Sequence, residues 1–243
     1  MGLRDIIATP DGKAGLVRSL FATIADRYDL ITVLLSYGQD RRWKDRLVRL
    51  AAPLAGRPVL DLACGTGDLA FAAAAEGAEV TGLDLTPRMI ALAKEKELRD
   101  RARRPVRFLV GDMMALPFPS ASFDVVTTGY GLRNVPVIEG AIAEIHRVLK
   151  PGGVMLSLDF NRPHARWLRT AYLAYLTVVG SVVGLVLHGD PDTYRYIPES
   201  IRHYPGAEGV AALLEAAGFD GVRWEPVLGG LMAIHVAHRR ALA

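Results

Sequence analysis

Cysteine is almost missing from this chain: one residue in 243, Cys64, excludes a disulfide framework and a cysteine-built zinc cluster. Aromatic residues supply only 7% of positions, and no repeat or low-complexity tract breaks the sequence. Charge of one sign is scarce too. Lys and Arg number 29 against 26 Asp and Glu, a net +3, which suits an anionic surface and is too weak alone to argue for nucleic acid. The basic runs 41–49 and 99–107 read as helix-face charge rather than as a base-stacking surface. The opening segment carries an acid and no apolar stretch of signal-peptide length, so a cytoplasmic location is expected. No His, Asp and Glu spacing suggests a metal, and no Ser-His-Asp or reactive-cysteine arrangement is legible. Cys64 reads as a small packing residue.

What is present is an ordered, globular composition, 51% hydrophobic and 23% charged, of a length suited to one large domain. Between 58 and 159, short β-rich runs alternate with helical patterns, the signature of βαβ units and a parallel sheet. Strands are expected at 58–62, 79–84, 106–110, 123–128 and 153–159, with helices at 68–76, 86–98 and 137–149. Thr86-Pro87 reads as a helix start and Lys150-Pro151-Gly152-Gly153 as a stop. Helices at 13–27 and 40–52 precede the sheet. An apolar insert, a Tyr/Arg/Pro-rich loop, a helix at 207–217 and β-like runs at 221–227 and 231–238 follow it. Gly229-Gly230 suggests that the last two form a hairpin, which makes the sheet mixed, with one antiparallel strand.

The run Val59-Leu60-Asp61-Leu62-Ala63-Cys64-Gly65-Thr66-Gly67-Asp68-Leu69-Ala70 is a strand, a glycine turn and a helix start. It satisfies the dinucleotide template, and Asp84 follows Gly67 by seventeen residues. The template does not choose a cofactor, so a nicotinamide dinucleotide remains an alternative. Charge discriminates. Asp61 and Asp68 beside the turn oppose a diphosphate and suit a cation, which favours S-adenosylmethionine. Asp84 has two oxygens for two ribose hydroxyls, or else caps the next helix. Asp112 after the third strand could accept from an adenine amino group, with Met113 packing on the ring. Acids at three consecutive strand ends point to a ligand, because open α/β sheets bind there.

With these stretches in order, the chain resembles the class I S-adenosylmethionine-dependent methyltransferases, and more narrowly the menaquinone/ubiquinone biosynthesis C-methyltransferases. The narrower resemblance rests on Arg27-Tyr28-Asp29, Arg42-Trp43-Lys44, Gly131-Leu132-Arg133-Asn134-Val135, the Leu149-Lys150-Pro151-Gly152-Gly153 run and Tyr194-Arg195-Tyr196-Ile197-Pro198-Glu199-Ser200-Ile201. It implies an α/β Rossmann-like fold, a seven-stranded, mostly parallel sheet with one antiparallel strand, in a single domain. That domain would comprise a helical cap (1–56), a cofactor-binding core (57–160), a substrate- or membrane-facing insert (161–206) and a C-terminal helix and hairpin (207–243). It also implies methyl transfer to a ring carbon of a prenylated quinol. Cofactor contacts are expected from Asp61, Gly65, Thr66, Gly67, Asp84, Leu85, Asp112, Met113 and Gly129. Substrate contacts are expected from Tyr28, Tyr194, Tyr196, Ser200 and His203. The chain departs from the family pattern at Thr32, Gly129 and Asn161-Arg162-Pro163, which bears on the identity of the quinol.

Carbon methylation needs a carbon nucleophile in line with the methyl, which a quinol provides once a ring hydroxyl loses its proton. Arg133 cannot be a base. It would steady the quinolate oxygen or orient a water, with Asn134 fixing its direction; alternatively both residues stitch the loop. The tyrosine cluster either lines the quinol pocket or covers the sheet edge. His146, His235 and His238 read as structural. The stretch 171–187 has no charge for seventeen residues and follows Arg162, Arg166 and Arg169. It reads as a hydrophobic cover or peripheral membrane contact, as internal packing, or as a short span, and Gly180, Ser181 and Gly184 invite a bend in it. A homodimer stays open. Competing functions are methylation of another phenol or lipid, a nicotinamide oxidoreductase, and a non-catalytic cofactor-binding subunit.

Overall fold

Apolar residues that alternate with turn signals need a sheet with helices on both faces, and the computed structural model has that arrangement. It describes residues 3–100 and 103–241, so the extreme ends and the middle of the basic run 99–107 lie outside the described residues. Four helices come first: α1 (Leu3–Ile7), α2 (Pro10–Ile24), α3 (Tyr28–Leu35) and α4 (Asp40–Ala51). The alternating section follows as β1 (Pro58–Leu62), α5 (Asp68–Ala75), β2 (Glu79–Asp84), α6 (Pro87–Arg99), β3 (Arg107–Val110), β4 (Phe123–Gly129), α7 (Ile138–Val148) and β5 (Leu149–Phe160). Then come α8 (Arg166–His188), α9 (Tyr196–His203), α10 (Gly206–Ala216), β6 (Phe219–Val227) and β7 (Met232–Arg239).

The seven strands are ordered β3-β2-β1-β4-β5-β7-β6, and β7 runs antiparallel to both neighbours. Leu62 pairs with Leu83 and Thr128, and Asp84 with Val110, so β1 to β4 end along one edge. Strand order reverses between β1 and β4, which opens a crevice at that edge. Side chains alternate across the sheet. Val59 and Val125 meet Trp43, Leu47 and Phe71 on one face, while Leu60, Leu62 and Val126 meet Ile142, Ile145 and Leu214 on the other.

Three expectations change. Segment 28–35 is a helix, although its Ile, Thr and Val are weak helix formers. Packing decides it: Ile31 is buried with Ile24, Val183 and Tyr194. The stretch 196–203, expected as loop, is α9, with Pro198 in its first turn, where a missing N–H is tolerated. The apolar insert lies inside the unbroken helix α8 rather than bending at its glycines. Those glycines serve close approach. A Cβ on Gly184 would lie 2.5 Å from the Asp190 carbonyl oxygen, and one on Gly180 would lie 3.2 Å from Tyr194 Cβ. Bare backbone therefore lets the loop 190–195 lie against α8. Gly184→Val should push that loop away and lower stability by about 1–3 kcal/mol. Gly15→Ala in α2, where a Cβ meets open space, should raise it by about 0.5–1 kcal/mol. Thermal melting of both variants checks this pair of opposite signs.

Candidate active site

The turn between β1 and α5 is shaped by its surroundings. Gly67 has φ of +90°, and a Cβ there would lie 2.9 Å from both the Phe71 and Phe108 rings, so only glycine fits. Cys64 is buried, and burial pushes its thiol well up, which fits a packing role. Asp84, at the end of β2, accepts from the backbone N–H of Gly65 at 2.9 Å and of Thr86 at 2.8 Å. It thus ties the glycine turn to the start of α6, while each oxygen keeps a further lone pair. Burial pushes its pKa up, and the two amides pull it back.

Six of the expected cofactor residues, Gly65, Asp84, Leu85, Asp112, Met113 and Gly129, line one crevice at this edge. It encloses about 810 Å³ of space, partly continuous with solvent. Asp112 accepts from the Met114 N–H at 2.8 Å, and Met113 is buried beside it. Asp61 and Thr66 instead line a narrower cleft alongside, with Lys44 and Asp68. Gly67 borders neither space, because the two phenyl rings back it.

The cleft holds an ion network in which Lys44, Lys96, Asp29 and Asp40 carry no role in the sequence reading, while Asp68 and Thr66 do. Lys44 Nζ lies 2.6 Å from Asp40 and 3.1 Å from Asp68. Lys96 lies 2.6 Å from Asp29, 3.1 Å from Asp68 and 2.8 Å from the Thr66 hydroxyl, which itself donates to Asp29 at 2.6 Å. Burial disfavours the Lys44 charge, but Asp68 and Asp40 hold its pKa up. The same lysines hold Asp68 below its usual range against burial. Asp68, expected as a bare carboxylate facing the ligand, is therefore already neutralised. Asp61 is not. It is 1% exposed, one oxygen accepts from Thr127 at 2.8 Å, and the other has no partner among the described residues. Desolvation pushes its pKa up to about 7, with the Thr127 bond opposing.

A second crevice, of about 680 Å³, lies beyond the first and is mostly apolar. Leu20, Ile24, Ile31 and Leu35 line it from α2 and α3, and Tyr194 and Tyr196 from the α8–α9 region. Tyr28 and Tyr130 border both crevices and the cleft; Asn134 borders both crevices. The Tyr130 hydroxyl donates to Asp40 at 2.6 Å, Asn134 Nδ2 donates to the Tyr130 carbonyl at 2.8 Å, and the Tyr196 hydroxyl donates to Asn134 Oδ1 at 3.1 Å. A hydrogen-bonded wall therefore separates the two spaces.

Arg133 sits at the foot of this wall, 5% exposed. Its Nε lies 3.5 Å from Asp159, its backbone N–H donates to Asp159 at 3.0 Å, and its Nη1 donates to Ser200 Oγ. The guanidinium stacks 4.8 Å over the Phe160 ring and 5.9 Å from the Tyr196 ring. Burial lowers the nearby Lys13 to about 8, with Arg133 pushing the same way. Two expected substrate residues fall away from the crevice. Ser200 is taken up by Arg133, and His203 is half-exposed with Nδ1 2.9 Å from the Glu199 carbonyl. At about 1.5 Å per residue, α9 carries Ser200 and His203 roughly 6 and 10 Å along its axis from Tyr196.

Comparison with known proteins agrees with this architecture. A crystal structure of a SAM-dependent methyltransferase from Aquifex aeolicus superposes with a TM-score of 0.58 at 18% identity, covering 81% of this chain and 89% of that one. Phosphoethanolamine N-methyltransferase 2 of Haemonchus contortus, solved with S-adenosyl-L-methionine, gives 0.60 at 18% identity, covering 82% and 52%. In sequence, the demethylmenaquinone methyltransferase of Thermus thermophilus is 44% identical over 90% of this chain and 100% of its own length. The ubiquinone/menaquinone biosynthesis C-methyltransferase UbiE of Rubrivivax gelatinosus is 42% identical over 93% and 88%. The model of the ubiE/COQ5 methyltransferase family matches residues 9–239. With that span and these identities, the chain belongs to the ubiE/COQ5 methyltransferase family.

Proposed function

We propose that this protein transfers a methyl group from S-adenosylmethionine to a ring carbon of a prenylated quinol, in the manner its relatives' names describe. The observation that carries this reading is the pair of crevices sharing the Tyr130–Asn134 wall, one edged by carboxylates and one apolar. The donor supplies an electrophilic methyl on a sulfonium. Asp84 holds the ribose, and Asp112 with Met113 holds the adenine. Leu85, Gly65 and Gly129 shape the crevice, and Gly67 lets the turn close. Thr66 and the Lys44 network border the charged end, where Asp61 offers its unpartnered oxygen to a cation.

The acceptor ring occupies the apolar crevice among Tyr28, Tyr194 and Tyr196. Asn134 fixes the ring hydroxyl at the wall, and Arg133, charge-balanced by Asp159, steadies developing negative charge without holding a full countercharge against the donor. Positioning of this kind contributes on the order of 7–11 kcal/mol. Ser200 supports Arg133 rather than touching the acceptor.

The same reading extends to the membrane. Helix α8 has the length and composition of a span, yet it packs Tyr172, Leu173, Leu176 and Val183 onto the protein. Its outer side leaves Val178, Val182, Leu185 and Val186 exposed, and α3 with the turn after it leaves Leu30, Val33, Leu34 and Tyr37 exposed. Tyr37 stacks on Tyr175, with ring centroids 5.8 Å apart, which joins the two helices into one apolar face over the acceptor crevice. With Trp167 75% exposed and Arg166 beside it, this face suits the interface of an anionic bilayer, where a prenyl tail resides. The protein thus works as a peripheral enzyme on the cytoplasmic side, and a homodimer is the competing occupant of the face.

Ionised Asp61 is the form that binds a cation. Its folded pKa, about 7, lies above the roughly 3.9 of an unfolded chain, so the folded protein loses stability as pH rises between those values. Asp61→Asn should therefore raise the melting temperature of the ligand-free protein by an amount that grows from pH 4 to pH 7. It should also weaken the donor about tenfold or more at pH 8, and wild-type affinity should fall as pH drops below 7; calorimetry reads both affinities. Labelled donor and reduced demethylmenaquinol test the activity directly, and ring-carbon labelling is expected. Arg133→Ala should cost about 3–5 kcal/mol by stranding buried Asp159. The pair Arg133→Met with Asp159→Asn should fold, keep donor affinity and lack turnover. On flotation, wild type should rise with anionic vesicles while Val182→Asp with Val186→Asp stays behind. Failure of wild type to float, or a dimer abolished by that variant, would give the face to a second copy.

A further inference from the structure

Each methyl that a quinol ring gains requires one proton to leave the site, and the apolar crevice offers few ways out. Its polar lining is largely committed. Thr32 Oγ1 donates to the Tyr28 carbonyl at 2.9 Å and Ser36 Oγ to the Val33 carbonyl at 3.2 Å, neither of which can take up a proton. Arg133 is a donor only, and the Tyr196–Asn134 bond ends on an amide. Tyr130 leads to Asp40, but that carboxylate is buried and paired with Lys44, so a proton placed there would break the ion pair. Tyr194 differs. It lines the crevice, and its hydroxyl lies 2.9 Å from Nε2 of His188, at the end of α8, where the ring is only half-buried. The two rings meet edge-on, 5.7 Å apart at 62°.

We propose that Tyr194 and His188 form the proton exit of the methyl-transfer reaction; this rests on the quinol reading above. Tyr194 takes the proton of the acceptor's ring hydroxyl as its own proton passes to Nε2 of His188. The electron pair released on the ring oxygen moves into the ring, whose carbon forms the new C–C bond while the C–S pair stays with sulfur. The hydrogen on the methylated carbon then returns to the ring oxygen, restoring the aromatic quinol. The imidazolium sheds its extra proton to water through Nδ1, so one proton leaves per methyl. Burial pushes the Tyr194 hydroxyl up to about 12, so it relays a proton rather than storing a phenolate. The charged groups around the pair are Arg27, whose charge opposes that burial effect, and Asp190, Asp192 and Arg195 of the adjoining loop, of which Asp192 and Arg195 are paired at 3.1 Å. Gly180 and Gly184 admit that loop, and so set the contact.

His188→Gln keeps a hydrogen-bond acceptor for Tyr194 and removes the titration. Single-turnover rates with labelled donor and reduced demethylquinol, measured across pH, are the test. Wild type should slow toward acid pH. His188→Gln should lose that limb, fall tenfold to a thousandfold in rate with both substrate affinities within twofold of wild type, and recover in part with added imidazole. Tyr194→Phe should match it in rate and resist imidazole. A His188→Gln enzyme within twofold of wild type would overturn the exit. So would one that is slow but keeps the acid limb and ignores imidazole, since that marks a structural role. A wild type inactive on the quinol overturns the substrate reading itself, and is recognised before any variant is made.

Discussion

Lys44 is a single cation buried between Asp40 and Asp68, and much of the site depends on where it sits. One of its ion pairs lies within α4, to Asp40, and the other joins α4 to the start of α5, at Asp68; both are made by a side chain only 10% exposed. A lone buried ammonium would be costly, and so would buried Asp40 without it, whereas half-exposed Asp68 is also held by Lys96. Together they fix three things. Asp68 is neutralised at the glycine turn, Asp40 is oriented to accept from Tyr130, and Asp61 is left as the buried carboxylate without a full set of partners. On the proposed reading, the cation preference of the donor site would come from this one oxygen without a hydrogen-bond partner beside the network.

From Asp40 the ordering continues along the wall. Tyr130 takes its place from Asp40, Asn134 from the Tyr130 carbonyl, and Tyr196 from Asn134. These bonds link α4, the end of β4 and α9, elements distant in sequence. A wall built this way holds its position without relying on either ligand, which is what in-line transfer between two separate spaces requires. The Arg133–Asp159 pair anchors the same wall from below, where its packing between Phe160 and Tyr196 limits how far the guanidinium can swing.

The parts legible in the sequence were those governed by local rules. Strand periodicity and turn residues located the sheet, and the glycine turn with acids at strand ends pointed to the edge where the first crevice lies. Asp84 shows how far such reading reaches: ligand and cap were posed as alternatives, and its four lone pairs allow both. What stayed hidden depends on long-range packing. Lys44 lies within Arg42-Trp43-Lys44, with Asp40 one helical turn before it, but its pairing with Asp68 spans 24 positions. Asp68 looked like a bare charge for the same reason. Ser200 and His203 group with Tyr196 only by nearness in sequence. Helix α9 separates them along its axis, a displacement invisible until a helix is recognised around Pro198.

The two crevices also differ in the way they treat water, and this explains why the apolar helices sit where they do. The donor crevice keeps carboxylates and amides at its edge, so a charged ligand exchanges hydration for fixed dipoles. The second crevice is walled by α2, α3 and the 194–197 segment, α8 packs behind them through Val183 against Ile24, Ile31 and Tyr194, and α3 and α8 carry the exposed apolar face outward. On the proposed reading, a helix packed by one side on the crevice cluster and bare on the other would offer a greasy tail apolar surface between a bilayer and the site. It also excludes water from the space where negative charge must develop on the ring, and in that low dielectric the neutral Arg133–Asp159 pair and the tyrosine hydroxyls act more strongly than they would in water.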